Sequence, residues 1–207
     1  FLKRYPEQRA VMQRMIADGR LQITCGMLAM PDVNLPSGES FIRQVLHGKR
    51  YCERELGVDV SYGWLIDTFG QHPQLPQLMS KCGFENHTFQ RVMPKESPSE
   101  FFWEGIDGSR ILCHWMPIGY AAFYGAPANK HEFAKYARRH LGRLADHAVT
   151  YKILALGGAD LTPVEPHLHA IVDRFNASQD EYELVIATPH EFYEAIADDK
   201  KNFAVVG

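Results

Sequence analysis

A chain of 207 residues, 45% hydrophobic and 23% charged, is long enough to bury a proper core and has the make-up of an ordinary globular protein. A formal charge of -3, with Lys and Arg scattered along the chain, argues against a nucleic-acid partner, and no apolar run is long enough to cross a bilayer as a helix. Cys25, Cys52, Cys82 and Cys113 form no CxxC pair and read as free thiols, which favours a reducing, cytoplasmic setting.

The chain opens on Phe1 rather than Met, so a signal peptide is not judged, and FLKRYPEQRAVMQRMIADGR reads as the continuation of something longer. Leu2, Tyr5, Val11, Met12, Met15 and Ile16 predict a helix that Gly19 stops. LQITCGML predicts a short strand. PDVNLPSGES is a loop in which Ser37 caps a second helix, with Phe41, Ile42, Val45, Leu46 and Tyr51 as its buried stripe and Gly57 at its end. VDVSYGWLI predicts a strand that finishes at Asp67. Pro76 opens a short helix closed by Gly83, and HTFQRVM predicts a strand ending near Arg91. In FFWEGIDGSRILCHWM, Asp107-Gly108 is the turn of a hairpin. An irregular stretch, PIGYAAFYGAPANK, leads into a helix from about His131 to His147, and TYKILAL predicts a strand running into GGADLTP. A helix over Val164 to Asn176, a strand in YELVIAT and a helix in TPHEFYEAIA complete the chain; Thr188, Pro189 and Glu191 spell a capping box. Strand–helix alternation with continuous apolar strands predicts an α/β fold with a parallel sheet covered by helices, open or closed into a barrel.

Two predicted strands end in an acid. Asp67 follows Trp64-Leu65-Ile66, and Asp160 follows Ile153-Leu154-Ala155-Leu156 across Gly157-Gly158-Ala159. In a parallel sheet both acids would point to the face where ligands bind, and two carboxylates flanking a cleft are the minimum for glycoside hydrolysis. The ordinary reading of an Asp between strand and helix is an N-cap, and Asp160 before LTPVEP suits it better than Asp67 does. Asp32 and Glu39 also read as caps, His72 as a loop residue, His167 and His169 as surface residues, and Trp103 and Trp115 as packing.

The segments GWLIDTFGQHPQLPQLMSKCGF, NLPSGESFIRQVLHGKRY and FFWEGIDGSRILCHWMP resemble the retaining α-mannosidases of glycoside hydrolase family 38, from the first helix to about Tyr193. That resemblance implies a seven-stranded α/β barrel, incomplete here at its N-terminus, so that residues 1–207 are a partial catalytic domain lacking the first barrel strand and the β-rich domains that follow. It implies hydrolysis of terminal α-mannosyl linkages, with Asp67 as nucleophile and metal ligand and Asp160 as acid/base. Phe69, Arg91 and Tyr120 take the places of substrate-binding residues. The metal would be divalent, zinc by the family pattern with calcium or cobalt as options, and the partner an α-mannoside glycan; assembly of identical copies is left open.

Departures from the family pattern are specific. Its His-x-Asp pair and its downstream histidine ligand have no match in this chain, Gln71 stands where the family has the histidine of an FGH motif, and Cys25-Gly26-Met27-Leu28 replaces a GGxW stretch. The acid/base loop lacks a polar residue before its Asp. The 207 residues alone are therefore expected to bind zinc weakly and to turn over little. Two other readings fit parts of the chain: a metal-dependent polysaccharide deacetylase, whose H-x-x-x-H spacing is absent, and a carbohydrate-binding or degenerate barrel domain without catalysis.

Overall fold

The structure is a computed structural model that describes residues 1–91 and 93–207; Val92, inside the strand predicted over HTFQRVM, lies outside the described residues. In chain order the elements are α1 (Gln8–Ala17), α2 (Gly38–Leu56), β1 (Tyr62–Trp64), α3 (Leu75–Lys81), β2 (Asn86–Phe89), β3 (Glu100–Glu104), β4 (Arg110–Trp115), α4 (Lys130–Ala145), α5 (Leu168–Asn176), α6 (Pro189–Ala195), a 3-10 turn (Ala197–Asn202) and β5 (Val205–Val206).

Local chemistry sets the helix ends. The Ser37 hydroxyl accepts the Ser40 N–H at the start of α2, and Gly57 closes that helix with φ +72°, a left-handed conformation that suits a residue without Cβ. Asn129 caps α4 by accepting from His131 and Glu132. At α6 the predicted capping box is formed: Thr188 accepts the Glu191 N–H, and the Glu191 carboxylate accepts the Thr188 N–H at 2.6 Å.

The five strands make one sheet in the order β1-β2-β4-β3-β5. β1 runs parallel to β2 and β2 to β4, with Thr88 facing both Trp64 and His114 in register. The hairpin read from Asp107-Gly108 pairs β3 and β4 antiparallel, so the sheet is mixed rather than wholly parallel. Side chains alternate along β4. Ile111, Cys113 and Trp115 join Phe41 and Val45 of α2 and Leu75 and Met79 of α3 in the main core. Leu112 turns the other way, against Phe192, Tyr193 and Ile196. A separate core joins α4 and α5 through Phe133, Ala137, Ile171 and Phe175.

Three predicted strands are not laddered. The segments 21–28, 150–156 and 182–188 run without regular strand pairing. In the first, Cys25 donates to the Tyr62 carbonyl at 2.9 Å, but Cys25 and Gly26 then both take positive φ, +70° and +61°, which ends any extended run. In the others the backbone finds isolated partners: Phe123 N–H donates to the Leu156 carbonyl at 2.8 Å, and the Asn176 amide exchanges two hydrogen bonds with Leu184. β1 is also shorter than predicted, ending at Trp64, so Asp67 sits in the following turn and not on the strand.

Candidate functional site

The parallel strands β1, β2 and β4 present their carboxyl ends to one side, and the chain leaving each carries polar side chains there. Asp67 and Phe69 follow β1, Gln90 and Arg91 follow β2, and Tyr120 lies beyond β4. Asp160 arrives from the segment 157–160. Together Asp67, Tyr120 and Asp160 face a cleft of about 530 Å³, walled by Met30, Ile66, Leu156 and the backbone of Gly157, Gly158 and Ala159. That volume suits a small-molecule ligand.

Neither acid caps a helix. The residue before α3 is Gln74 and the residue before α5 is His167, neither with a side-chain cap, so the N-cap reading of Asp160 is corrected. Asp160 is exposed, and its Oδ1 accepts the Tyr120 hydroxyl at 3.1 Å. Asp67 is half-buried. Its Oδ1 accepts from Arg91 Nε at 3.1 Å, from the Arg91 terminal nitrogen as an ion pair, and from Gln90 Nε2 at 3.4 Å. The Tyr120 phenol is raised above its ordinary pKa, first by its hydrogen bond to Asp160, then by burial and the charges of Asp160 and Asp67, with Arg91 opposing. It therefore stays protonated at neutral pH and acts as the donor.

Phe69 is 65% exposed and does not line the cleft; the Arg91 guanidinium lies over its ring, 4.4 Å from the centroid. A cation over an aromatic face is held by the ring's quadrupole, so Phe69 and Asp67 fix Arg91 between them. The turn carrying Asp67 is pinned by Thr68, which is buried and donates to the Pro31 carbonyl at 3.2 Å, and by Gln71, whose Oε1 accepts His87 Nε2 at 3.3 Å.

The other candidates lie outside the cleft. Asp32 Oδ1 accepts the Asn34 N–H in its own loop, and Glu39 pairs with Arg43 within α2. His72 accepts the Gln74 N–H at 3.1 Å and so shapes its own loop. Trp115 is core, its indole N–H donating to the Gln90 carbonyl at 2.8 Å. His169 is exposed as predicted, but His167 is not a free surface residue: it is half-buried and donates to the Ala126 carbonyl at 2.7 Å. The sequence alone does not single out Gln90, Met30 or Thr68; the polar pair Gln90-Arg91 directly after β2 is the one available signal.

The described residues do not make up a metal centre. Among the described residues no three His, Cys, Asp or Glu side chains converge, and Asp67 would supply a single ligand. No described helix is long and apolar enough to cross a membrane.

Comparison with known proteins shows which family the chain resembles in sequence and fold. The sequence model for the glycosyl hydrolases family 38 N-terminal domain matches residues 1–205. Alpha-mannosidase G of Dictyostelium discoideum is 33% identical over 198 residues, 93% of this chain but 18% of that protein. The crystal structure of an alpha-mannosidase from Enterococcus faecalis V583 superposes with a TM-score of 0.90 at 25% identity, covering 99% of this chain and 24% of that one. A Mycobacterium smegmatis chain assigned to the polysaccharide deacetylases superposes at 0.56 with 13% identity, over 94% of this chain and 68% of its own, a likeness of fold alone. The chain thus spans about a fifth to a quarter of the length of the mannosidases it matches.

Proposed function

The chain belongs to glycosyl hydrolase family 38, and on that premise we propose that it is part of the catalytic domain of a retaining α-mannosidase acting on terminal α-mannosyl units of a glycan. The observation that carries the assignment is that Asp67 and Asp160 open onto one cleft, each already hydrogen-bonded to a different partner. Asp67, oriented through Oδ1 by Arg91 and Gln90, attacks the anomeric carbon and forms a glycosyl ester as the bond to the leaving oxygen breaks. Asp160 gives its proton to that oxygen, then takes one from the water that cleaves the ester, so configuration is retained. Tyr120 orients Asp160, while Arg91 and Phe69 form the rim on the Asp67 side.

The five-stranded mixed sheet is proposed to be part of a seven-stranded α/β barrel within a longer catalytic domain. A divalent metal, zinc by the family pattern, is proposed with Asp67 as one ligand. It would polarise and orient sugar hydroxyls when bound, but no group of three metal-ligating side chains gathers among the described residues and no step above runs through it. The free thiols support a reducing, cytoplasmic setting.

The test is hydrolysis of 4-nitrophenyl α-mannoside by the protein that carries this chain, with the first-formed anomer read by NMR. Parent enzyme is expected to release the α-anomer first, and Asp67→Asn to lower kcat by at least about 10³-fold. Release of the β-anomer first, or full turnover by Asp67→Asn, would overturn the assignment.

A further inference from the structure

We propose that Gln90 is a positioning residue that couples the two halves of the site, holding the Asp67 carboxylate and the Tyr120–Asp160 arm at a fixed separation; this rests on the mannosidase reading above. Its side-chain amide is used at both ends. Nε2 donates to Asp67 Oδ1 at 3.4 Å, and Oε1 accepts the Tyr120 backbone N–H at 3.2 Å. Tyr120 then reaches Asp160 through its hydroxyl at 3.1 Å. Three hydrogen bonds, joined through the side chain of Gln90 and the body of Tyr120, therefore link one acid to the other.

The chemistry of the two ends admits one orientation and one side-chain type. Turned over, the amide would set oxygen against carboxylate oxygen and NH2 against N–H. A carboxylate at this position would keep the Tyr120 contact but face Asp67 with like charge, and an apolar side chain would make neither bond. Two further features hold Gln90 itself in place. Its backbone carbonyl accepts the indole N–H of Trp115, a core residue, at 2.8 Å. Gly119, at φ +77°, leaves the room its amide needs: a Cβ there would lie 2.7 Å from Gln90 Oε1. The strut thus stands on the rigid end of β2 and meets a loop tightly turned to receive it.

The experiment uses the full protein carrying this chain, with Gln90→Met, which keeps the shape without the amide, and Gln90→Glu, which keeps only the acceptor. Three readouts are taken: kcat and KM on 4-nitrophenyl α-mannoside, the melting temperature, and hydrogen exchange of the peptide spanning residues 117–124. Gln90→Met is expected to lower kcat about tenfold to a hundredfold, with KM held within about twofold and melting nearly unchanged, because reacting groups displaced by a fraction of an ångström lose rate before affinity. Exchange at Tyr120 should accelerate in Gln90→Met and stay slow in Gln90→Glu, although the latter also loses kcat. Should the Met variant not fold, the loss of kcat with retained protection in Gln90→Glu carries the same information. Unchanged kcat in both variants, or a loss of rate matched by a fall in melting temperature, overturns the strut. If the parent hydrolyses no α-mannoside, the mannosidase reading falls, and the strut stands or falls on Tyr120 exchange alone.

Discussion

Asp67 and Asp160 are the same side chain in different company. One is held by a guanidinium and an amide, the other by a phenol at an exposed loop. That asymmetry suits two carboxyl groups with separate tasks, and it makes Tyr120 a direct test. Tyr120→Phe removes the donor to Asp160 while leaving the ring and the backbone N–H to Gln90, and kcat is expected to fall about tenfold or more with melting unchanged. A second titrating side chain bears on stability. His87 lies wholly buried beside Phe89, and burial pushes its pKa from 6.5 down to about 3. Because the folded value is depressed, the unfolded chain takes up the proton first. The neutral imidazole's contribution is complete above pH 6.5 and is lost as pH falls from there toward about 3, at up to about 1.4 kcal/mol per pH unit. The buried Glu100 is also depressed: burial would raise it, but the hydrogen bond and charge of His114 and the Val149 N–H outweigh that. Its effect has the same sign but begins only in the carboxylate range. His140, lowered by burial and by the charges of Arg143 and Arg139, adds to the same window, so urea unfolding between pH 7 and 5 should show a slope that His87→Gln reduces. An equal slope in the variant would show that other groups set it.

At the scale of elements, α6 shows how local chemistry and packing divide the work. Its capping box satisfies backbone donors at the helix start, while Phe192 and Tyr193 seat the helix on the sheet and the Tyr193 hydroxyl meets Thr88 at 2.9 Å. Thr188→Ala should cost about 1 kcal/mol in chemical denaturation and leave kcat as it was, since α6 covers the face away from the main core and lines no part of the cleft. A fall in kcat would mean that the sheet transmits the loss to the site. Helices such as this were legible because their signals are short-range: Ser37, Gly57 and Thr188 each act on a backbone group within four residues. Strands were less so. ILAL and LVIA have the apolar pattern of strands, yet pattern reports burial and not pairing, and only the folded chain decides whether a ladder partner is present. The site divides along the same line. Two acids after apolar runs could be read from sequence, whereas Gln90 could not, because its role depends on the Tyr120 backbone brought to it from beyond β4.

Across the whole molecule, the parallel order β1-β2-β4 does the gathering. Three strands pointing one way bring residues near 67, 90 and 120 to one rim, and the irregular segment before Asp160 supplies further wall of the cleft. The antiparallel β3 and short β5 extend the sheet on the far side of β4 and contribute nothing to the cleft. The same arrangement limits what these 207 residues can hold. One carboxylate oxygen of Asp67 is already engaged by Arg91 and Gln90, and among the described residues no group of three His, Cys, Asp or Glu side chains gathers to hold a metal. A structural zinc needs about four ligands and a catalytic one about three. Expressed alone, the 207-residue chain should therefore retain less than stoichiometric zinc after dialysis, and Asp67→Ala should not change that content. In a longer protein containing this chain, the proposal that Asp67 is a ligand predicts that the same substitution weakens zinc binding at least about tenfold. Metal analysis by mass spectrometry and competition with a chelator read both cases without recourse to activity. Tight stoichiometric zinc in the 207 residues alone would mean that side chains now apart close around Asp67, and that the Arg91 ion pair gives way to the metal.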